Sequence, residues 1–133
     1  MKDLIFVGAG GLLGTLSRYG VQQWIPTAAG GFPLAVLLIN LSGCLFLGWF
    51  FTVTPGTWRI PPRLRLAIGT GFTGAFTTFS TFTVDALRLW SEGRAAASLL
   101  YILASLLGGL LMSLAGIRLG QYMASRSGGG ATI

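Results

Sequence analysis

The side chains able to meet an ion within the apolar parts of this chain are almost all neutral. They include the amide of Asn40, the hydroxyls of Thr70, Thr73, Thr77, Thr78, Ser80, Thr81, Thr83, Tyr101 and Ser105, and the rings of Phe76, Phe79 and Phe82. An amide donates two hydrogen bonds, a hydroxyl donates one, and a phenyl ring has a positive edge. Such a set can surround a desolvated anion without a formal charge to trap it. The chemistry of charged side chains is nearly excluded: histidine is absent and the acids are only Asp3, Asp85 and Glu92. Histidine-based triads, carboxylate dyads and most metal sites are thereby ruled out, and an enzyme is not expected. The single cysteine, Cys44, stands in an apolar stretch and reads as a small packing residue.

The elements that must carry these groups follow from composition. Of the 133 residues 53% are apolar and 9% charged, with mean hydropathy +0.75, which is too little charge to cover a water-facing surface. Charges are absent from Phe32–Val53, Leu66–Val84 and Ala95–Ile117, and Leu4–Ile25 holds only Arg18. A helix needs about 20 residues to cross the hydrocarbon, and only helices or closed barrels satisfy the backbone there. Strand-like alternation is missing. The expectation is an all-α integral membrane protein, a single four-helix domain over 1–133 with spans near 4–25, 32–53, 66–90 and 95–121. Turn residues separate the spans at Pro26–Gly31, Thr54–Pro62 and Ser91–Gly93, and the tail Ser125–Ile133 is expected to fray. Lys2 with Leu4–Val7 looks like the start of a signal peptide, yet the apolar run passes any plausible cleavage site, so the first span is expected to be retained.

Basic residues give a net charge of +6 but stand singly at span ends, which suits membrane anchors and not a nucleic-acid surface. Lys2, Arg59, Arg63, Arg65, Arg118 and Arg126 fall on the side of the N-terminus, and Arg88 and Arg94 fall opposite. That bias favours both termini in the cytoplasm.

Within the spans each polar residue has two readings. Gly8–Gly14 superficially resembles a dinucleotide-binding turn but lacks the acid that motif needs, so close helix packing through Gly10-x-x-x-Gly14 explains it better. Arg18 is a headgroup anchor or a lure for anions. Asn40 is helix glue or a ligand contact. The segment Gly69–Thr83 packs three glycines, six threonines and one serine into fifteen residues, a poor helix by propensity. It reads as a helix interrupted near Gly74–Thr78, lining a cavity or binding ions through freed backbone groups, or as a small-residue packing face. Phe79 and Phe82 share a face with Phe76 if that helix runs through, as core or as ring edges toward an anion. Tyr101 and Ser105, at i and i+4, form a polar track or an interhelical bond. Asp85 stands at the third span's end one turn before Arg88, where an i, i+3 ion pair or an interface position is expected.

On these residues the chain resembles the Fluc (CrcB) family of fluoride channels. The matching motifs are Gly11–Tyr19 with Gly14 and Arg18, then Asn40 with Gly43 and Gly48, and above all Gly71–Phe82. The resemblance covers essentially the whole chain. It implies an antiparallel, dual-topology homodimer in the bacterial inner membrane, with two pores that export cytoplasmic fluoride passively and confer fluoride resistance. By the same resemblance Asn40, Phe79 and Phe82 line the fluoride path, and Ser80, Thr81, Tyr101 and Ser105 supply its polar side. Arg18 lies near an aqueous vestibule. The backbone carbonyls of Gly74 and Thr77, two from each subunit, hold a structural sodium ion at the two-fold axis. The partners implied are fluoride, the lipid bilayer and a second copy of the chain.

Two features depart from the family pattern. Family members commonly show Pro-x-Gly-Thr-Leu-x-Val-Asn entering the second span, whereas Ala35 and Val36 replace the glycine and threonine here, so one hydroxyl before Asn40 is missing. The basic bias is also stronger than two insertion orientations would suggest. The alternatives are a small dual-topology multidrug or guanidinium exporter, which should contain a buried acid, and a scaffold subunit without transport.

Overall fold

A computed structural model describes residues 2–25, 31–56 and 58–128. Every regular element among them is helical: α1 (Lys2–Trp24), α2 (Leu34–Val53), α3 (Pro62–Leu66), a π-helical stretch (Ala67–Phe72), α4 (Thr73–Phe76), α5 (Phe79–Ser91) and α6 (Ala95–Gly128). By length and composition α1, α2 and α6 can each cross a membrane. The segments from α3 to α5 make a bent third rod, so four helical rods result.

α6 runs to Gly128, beyond the expected end near 121, and Ser125–Gly128 is therefore helical and not frayed. Residues 129–133 lie outside the described residues, as do 26–30 of the first connection and Thr57 of the second. The short connection after α5 is closed by Gly93 at φ +76°. Arg94 N–H donates to Leu89 O and Gly93 N–H to Trp90 O, both at 3.0 Å, a glycine C-cap that satisfies the last carbonyls of α5.

The rods pack as two layers in which glycines let backbones touch. α1 lies along the π-helical stretch and α4, where a Cβ at Gly10 would strike the Ala67 carbonyl and one at Gly14 the Phe72 carbonyl. α2 pairs with α6 along its length; a Cβ at Gly48 would meet the Ser113 carbonyl, and one at Gly116 that of Leu45. The Gly10-x-x-x-Gly14 pattern is thus a helix-packing seam inside a continuous helix, with no strand-to-helix turn for a dinucleotide.

Polar ties fix the rest. Ser98 Oγ donates to the Ala86 carbonyl at 2.8 Å between α6 and α5, and Trp49 Nε1 donates to Met123 Sδ at 3.2 Å between α2 and α6. Arg63 and Asp3 pair at 2.8 Å where α3 meets the start of α1. Leu4, Leu12, Leu16, Leu100, Leu107 and Leu111 remain exposed on the outer faces, an inside-out pattern suited to lipid or a further subunit.

Candidate functional site

The third rod departs from α-geometry twice. In Ala67–Phe72 the bonding widens to i→i+5, with both the N–H and Oγ1 of Thr73 directed at the Ile68 carbonyl, the latter at 3.0 Å. Gly69 and Gly71 let Phe51 and the α1 backbone close on this stretch, and sequence reasoning missed the irregularity because Gly-Thr-Gly is compatible with either bonding pattern. The second departure is the expected interruption, located at Thr77 (ψ 157°) and Thr78 (φ −146°, ψ 122°), both extended.

An extended pair at mid-rod leaves backbone groups that apolar surroundings will not solvate. Asn40 of α2 supplies the missing partners. Its Nδ2 donates to the Thr78 carbonyl at 3.0 Å, and its Oδ1 accepts from Thr78 N–H at 2.8 Å. Because a backbone N–H can only donate, the amide orientation is fixed, and the second Nδ2 hydrogen stays available. Both readings of Asn40 therefore fit its geometry: it is glue between α2 and the third rod, and it has a donor to spare.

Thr78 then caps α5. Its Oγ1 accepts from Thr81 N–H at 3.2 Å and exchanges bonds with the hydroxyls of Thr81 (3.0 Å) and Ser80 (3.3 Å). Asn40, Thr78, Ser80 and Thr81 thus form one connected polar cluster at the N-terminus of a 13-residue helix, the positive end of its dipole. Sequence reasoning missed the capping role of Thr78; hydroxyls at 78 and 81 ahead of an apolar run are the spacing that signals it.

The break also alters the aromatic face. Phe76 does not continue the face of Phe79 and Phe82, because two extended residues interrupt the helical register; it stacks on Phe72 instead, centroids 5.8 Å apart. Phe79 and Phe82 do adjoin, at 5.7 Å, and Phe82 lies 5.2 Å from Tyr101 of α6. Phe79 is 80% exposed on the single chain, whereas Tyr101 is fully buried. The hydroxyls of Tyr101 and Ser105, one turn apart, are both buried without a hydrogen-bond partner among the described residues. The interhelical bond that is their alternative role is not formed among the described residues.

Two hollows flank the cluster. One, of about 230 Å³, is lined by Asn40, Cys44, Leu47, Thr77, Thr78 and Phe79. The other, of about 220 Å³, opens at the end of the rods between Gln22, Ala35, Val36, Thr81, Asp85 and Arg88. The two positions that depart from the family pattern, Ala35 and Val36, sit in the wall of this second hollow, so the absent hydroxyl is absent from its lining. Asp85 and Arg88 form the expected i, i+3 pair at 3.5 Å, and Arg88 also reaches the Gly31 carbonyl at 3.2 Å. Arg18 is half-buried one turn before Gln22 on α1 and does not itself line the hollow.

Gly74 faces open space, with nothing within 4 Å of where a Cβ would stand. The N–H that would close on its carbonyl, that of Thr78, is turned onto Asn40. The Thr77 carbonyl, just ahead of the cap, likewise starts no helix. Neutral carbonyl oxygens without helical donors are hard ligands suited to a small cation, so these two residues fit the chemistry of a sodium site.

Comparison with known proteins places this architecture. The family model described as CrcB-like protein, Camphor Resistance (CrcB) matches residues 5–117. The chain belongs to the CrcB family. CrcB relatives include a protein named Fluoride-specific ion channel FluC 1 from Bacillus cereus, 45% identical over 92% of this chain and 86% of the relative. Another, named Fluoride-specific ion channel FluC 2, from Geobacillus kaustophilus, is 48% identical over 86% and 90%. One from Synechococcus, named Fluoride-specific ion channel FluC, is 44% identical over 86% and 89%. These relatives are named as channels and not as enzymes. With its apolar rods, this CrcB member is a multi-pass bacterial membrane protein.

Proposed function

We propose that this chain is the subunit of a fluoride-selective passive channel that exports cytoplasmic fluoride and confers fluoride resistance. The observation that carries the reading is the Asn40–Thr78 clamp: a membrane rod broken at an amide with one N–H left over, beside the hydroxyls of Ser80 and Thr81 and the ring edges of Phe79 and Phe82. Family membership supports it. Fluoride is small and tightly hydrated, so a selective path must replace its water with several close donors while binding weakly enough to release. Amide, hydroxyls, ring edges and the α5 dipole do this jointly, and no formal charge stands in the cluster to trap the ion.

In this reading the ion passes Asn40, Phe79 and Phe82 and meets Ser80 and Thr81, then Tyr101 and Ser105, whose hydroxyls have no partner among the described residues and are then its donors. Arg18 draws anions toward the vestibule formed near Gln22 and Thr81. Two copies associate antiparallel across the open face at Gly74, giving two pores. A sodium ion, held by the carbonyls of Gly74 and Thr77 from each subunit, would supply a fixed positive charge and tie the breaks together. The protein itself contributes the clamp that turns Thr78 N–H away and so keeps the Gly74 carbonyl free.

The decisive experiment is fluoride efflux from potassium fluoride-loaded liposomes with valinomycin and a fluoride electrode, chloride run in parallel. Rapid fluoride release with little chloride release is expected. Silent vesicles holding demonstrably dimeric protein would remove the channel reading and leave a scaffold.

A further inference from the structure

A further hollow lies away from the candidate pore, at the end of the rods that carries the N-terminus. It has a volume of about 690 Å³ and is walled by Phe51, Thr54, Pro55, Ile60 and Leu66 together with two guanidinium-bearing side chains, Arg59 and Arg65. Three features of its polar groups stand out. Thr54 is 99% buried, and its Oγ1 has no hydrogen-bond partner among the described residues. The Nε of Arg65 is buried and equally without a partner, while its guanidinium lies over the Phe51 ring, 5.2 Å from the centroid. Arg59 adopts φ +41°, a left-handed backbone that a non-glycine residue rarely takes. No described carboxylate lies in the wall, and neither arginine is in an ion pair among the described residues.

A buried hydroxyl and a buried guanidinium N–H without acceptors are each costly unless something with acceptor oxygens meets them. With Arg59 and Arg65 both in its wall, the hollow is positively charged and favours an anion. A tetrahedral oxyanion satisfies both demands: it accepts from Arg65 and Arg59 in the forked geometry that guanidinium favours, and from the Thr54 hydroxyl. The exposed apolar surface of Leu64 and Leu66, and the exposed Trp58 that precedes Arg59 in the chain, put the mouth of the hollow at the depth of lipid headgroups.

We propose that this hollow is a binding site for a phosphate group, contacted by Arg59, Arg65 and Thr54. The site stands apart from the fluoride path and does not depend on it. The ligand chemistry has two sources, an anionic phospholipid headgroup or free inorganic phosphate. Native mass spectrometry of the purified dimer in detergent distinguishes them, with phosphatidylglycerol, phosphatidylcholine and inorganic phosphate as the three probes. Retention of phosphatidylglycerol over phosphatidylcholine that millimolar phosphate does not displace identifies the lipid; displacement, or adduction of phosphate alone, identifies the free anion.

In either case Arg65→Gln should lower retention at least tenfold. Arg59→Gly should do the same while keeping or raising thermal stability, since glycine accepts the backbone that arginine strains to adopt. Thr54→Val preserves volume and removes the unpartnered hydroxyl, so a severalfold loss of retention in a folded dimer is expected. Equal retention of both lipids with no phosphate adduct would overturn the proposal. So would undiminished retention in Arg59→Gly and Arg65→Gln, which would place the ligand elsewhere.

Discussion

At Asn40 one side chain holds both the N–H and the C=O of Thr78; the carbonyl of this N-cap residue also starts the α5 ladder, so removal of the amide strands the N–H. Asn40→Ala should destabilise the fold by about 1–3 kcal/mol, the usual penalty for a stranded buried group. It should also abolish fluoride release; thermal unfolding in detergent, read beside liposome efflux, checks both. Phe79 offers the contrasting case. It is largely exposed on the single chain, so Phe79→Ile should leave the unfolding temperature within a degree or two while cutting fluoride flux at least tenfold, because apolar volume is nearly kept and only the positive ring edge is lost. Undiminished flux in both Phe79→Ile and Phe82→Ile would remove the ring-edge role. How legible these residues were varies with the physics behind them. An amide within an apolar span announces itself by its desolvation cost, so Asn40 was visible at once. Its partner was not, because Thr78 lies 38 residues away and the bond is to backbone, which carries no sequence label. The face shared by Phe76, Phe79 and Phe82 was drawn on an unbroken helix and failed where the helix fails.

At the scale of elements, the break in the third rod was legible from propensity, since glycines and β-branched threonines weaken a helix wherever they cluster. The π-helical stretch was not, because Gly-Thr-Gly is compatible with either bonding pattern and packing against α1 decides between them. That packing is testable. Gly14→Ala forces a methyl into the Phe72 carbonyl, and the strain should lower stability by about 1–3 kcal/mol and shift the rod bearing the break. The matching change at Gly20, where a Cβ has open space, should be neutral, and comparing the two unfolding temperatures isolates the seam. Loss of the α5 cap is milder: Thr78→Val should reduce stability by about 1 kcal/mol, the usual value of an N-cap, with a larger proportional effect on flux because Ser80 and Thr81 lose their common partner.

The whole molecule is a chain whose candidate site is unfinished on one side. Phe79 and Gly74 both face outward in the single copy, on either side of the break. A second copy across this face would enclose the former and bring a second pair of free carbonyls toward the latter. Gly74→Leu should therefore weaken dimerisation severalfold in a detergent dilution series without unfolding the subunit. Exchange of sodium for N-methylglucamine should slow fluoride release in the unaltered protein. The number of rods was legible because charge-free stretches of spanning length are hard to disguise. Which outer faces would meet lipid and which a second copy was not, because lipid-facing and subunit-facing surfaces have the same apolar composition.

The clamp on Thr78 also bears on how such a chain is made. Neither half of the third rod, Pro62–Phe76 or the 13 residues of α5, is long enough to cross a bilayer as an independent segment, and their junction presents bare backbone. The group that shields that junction belongs to an earlier rod, so ribosomal order delivers Asn40 to the membrane before the break emerges. Biogenesis is thereby directional. When 62–133 is synthesised alone, the third rod should integrate poorly in a glycosylation-mapping assay, and co-synthesis of 1–56 should restore it only when position 40 is asparagine.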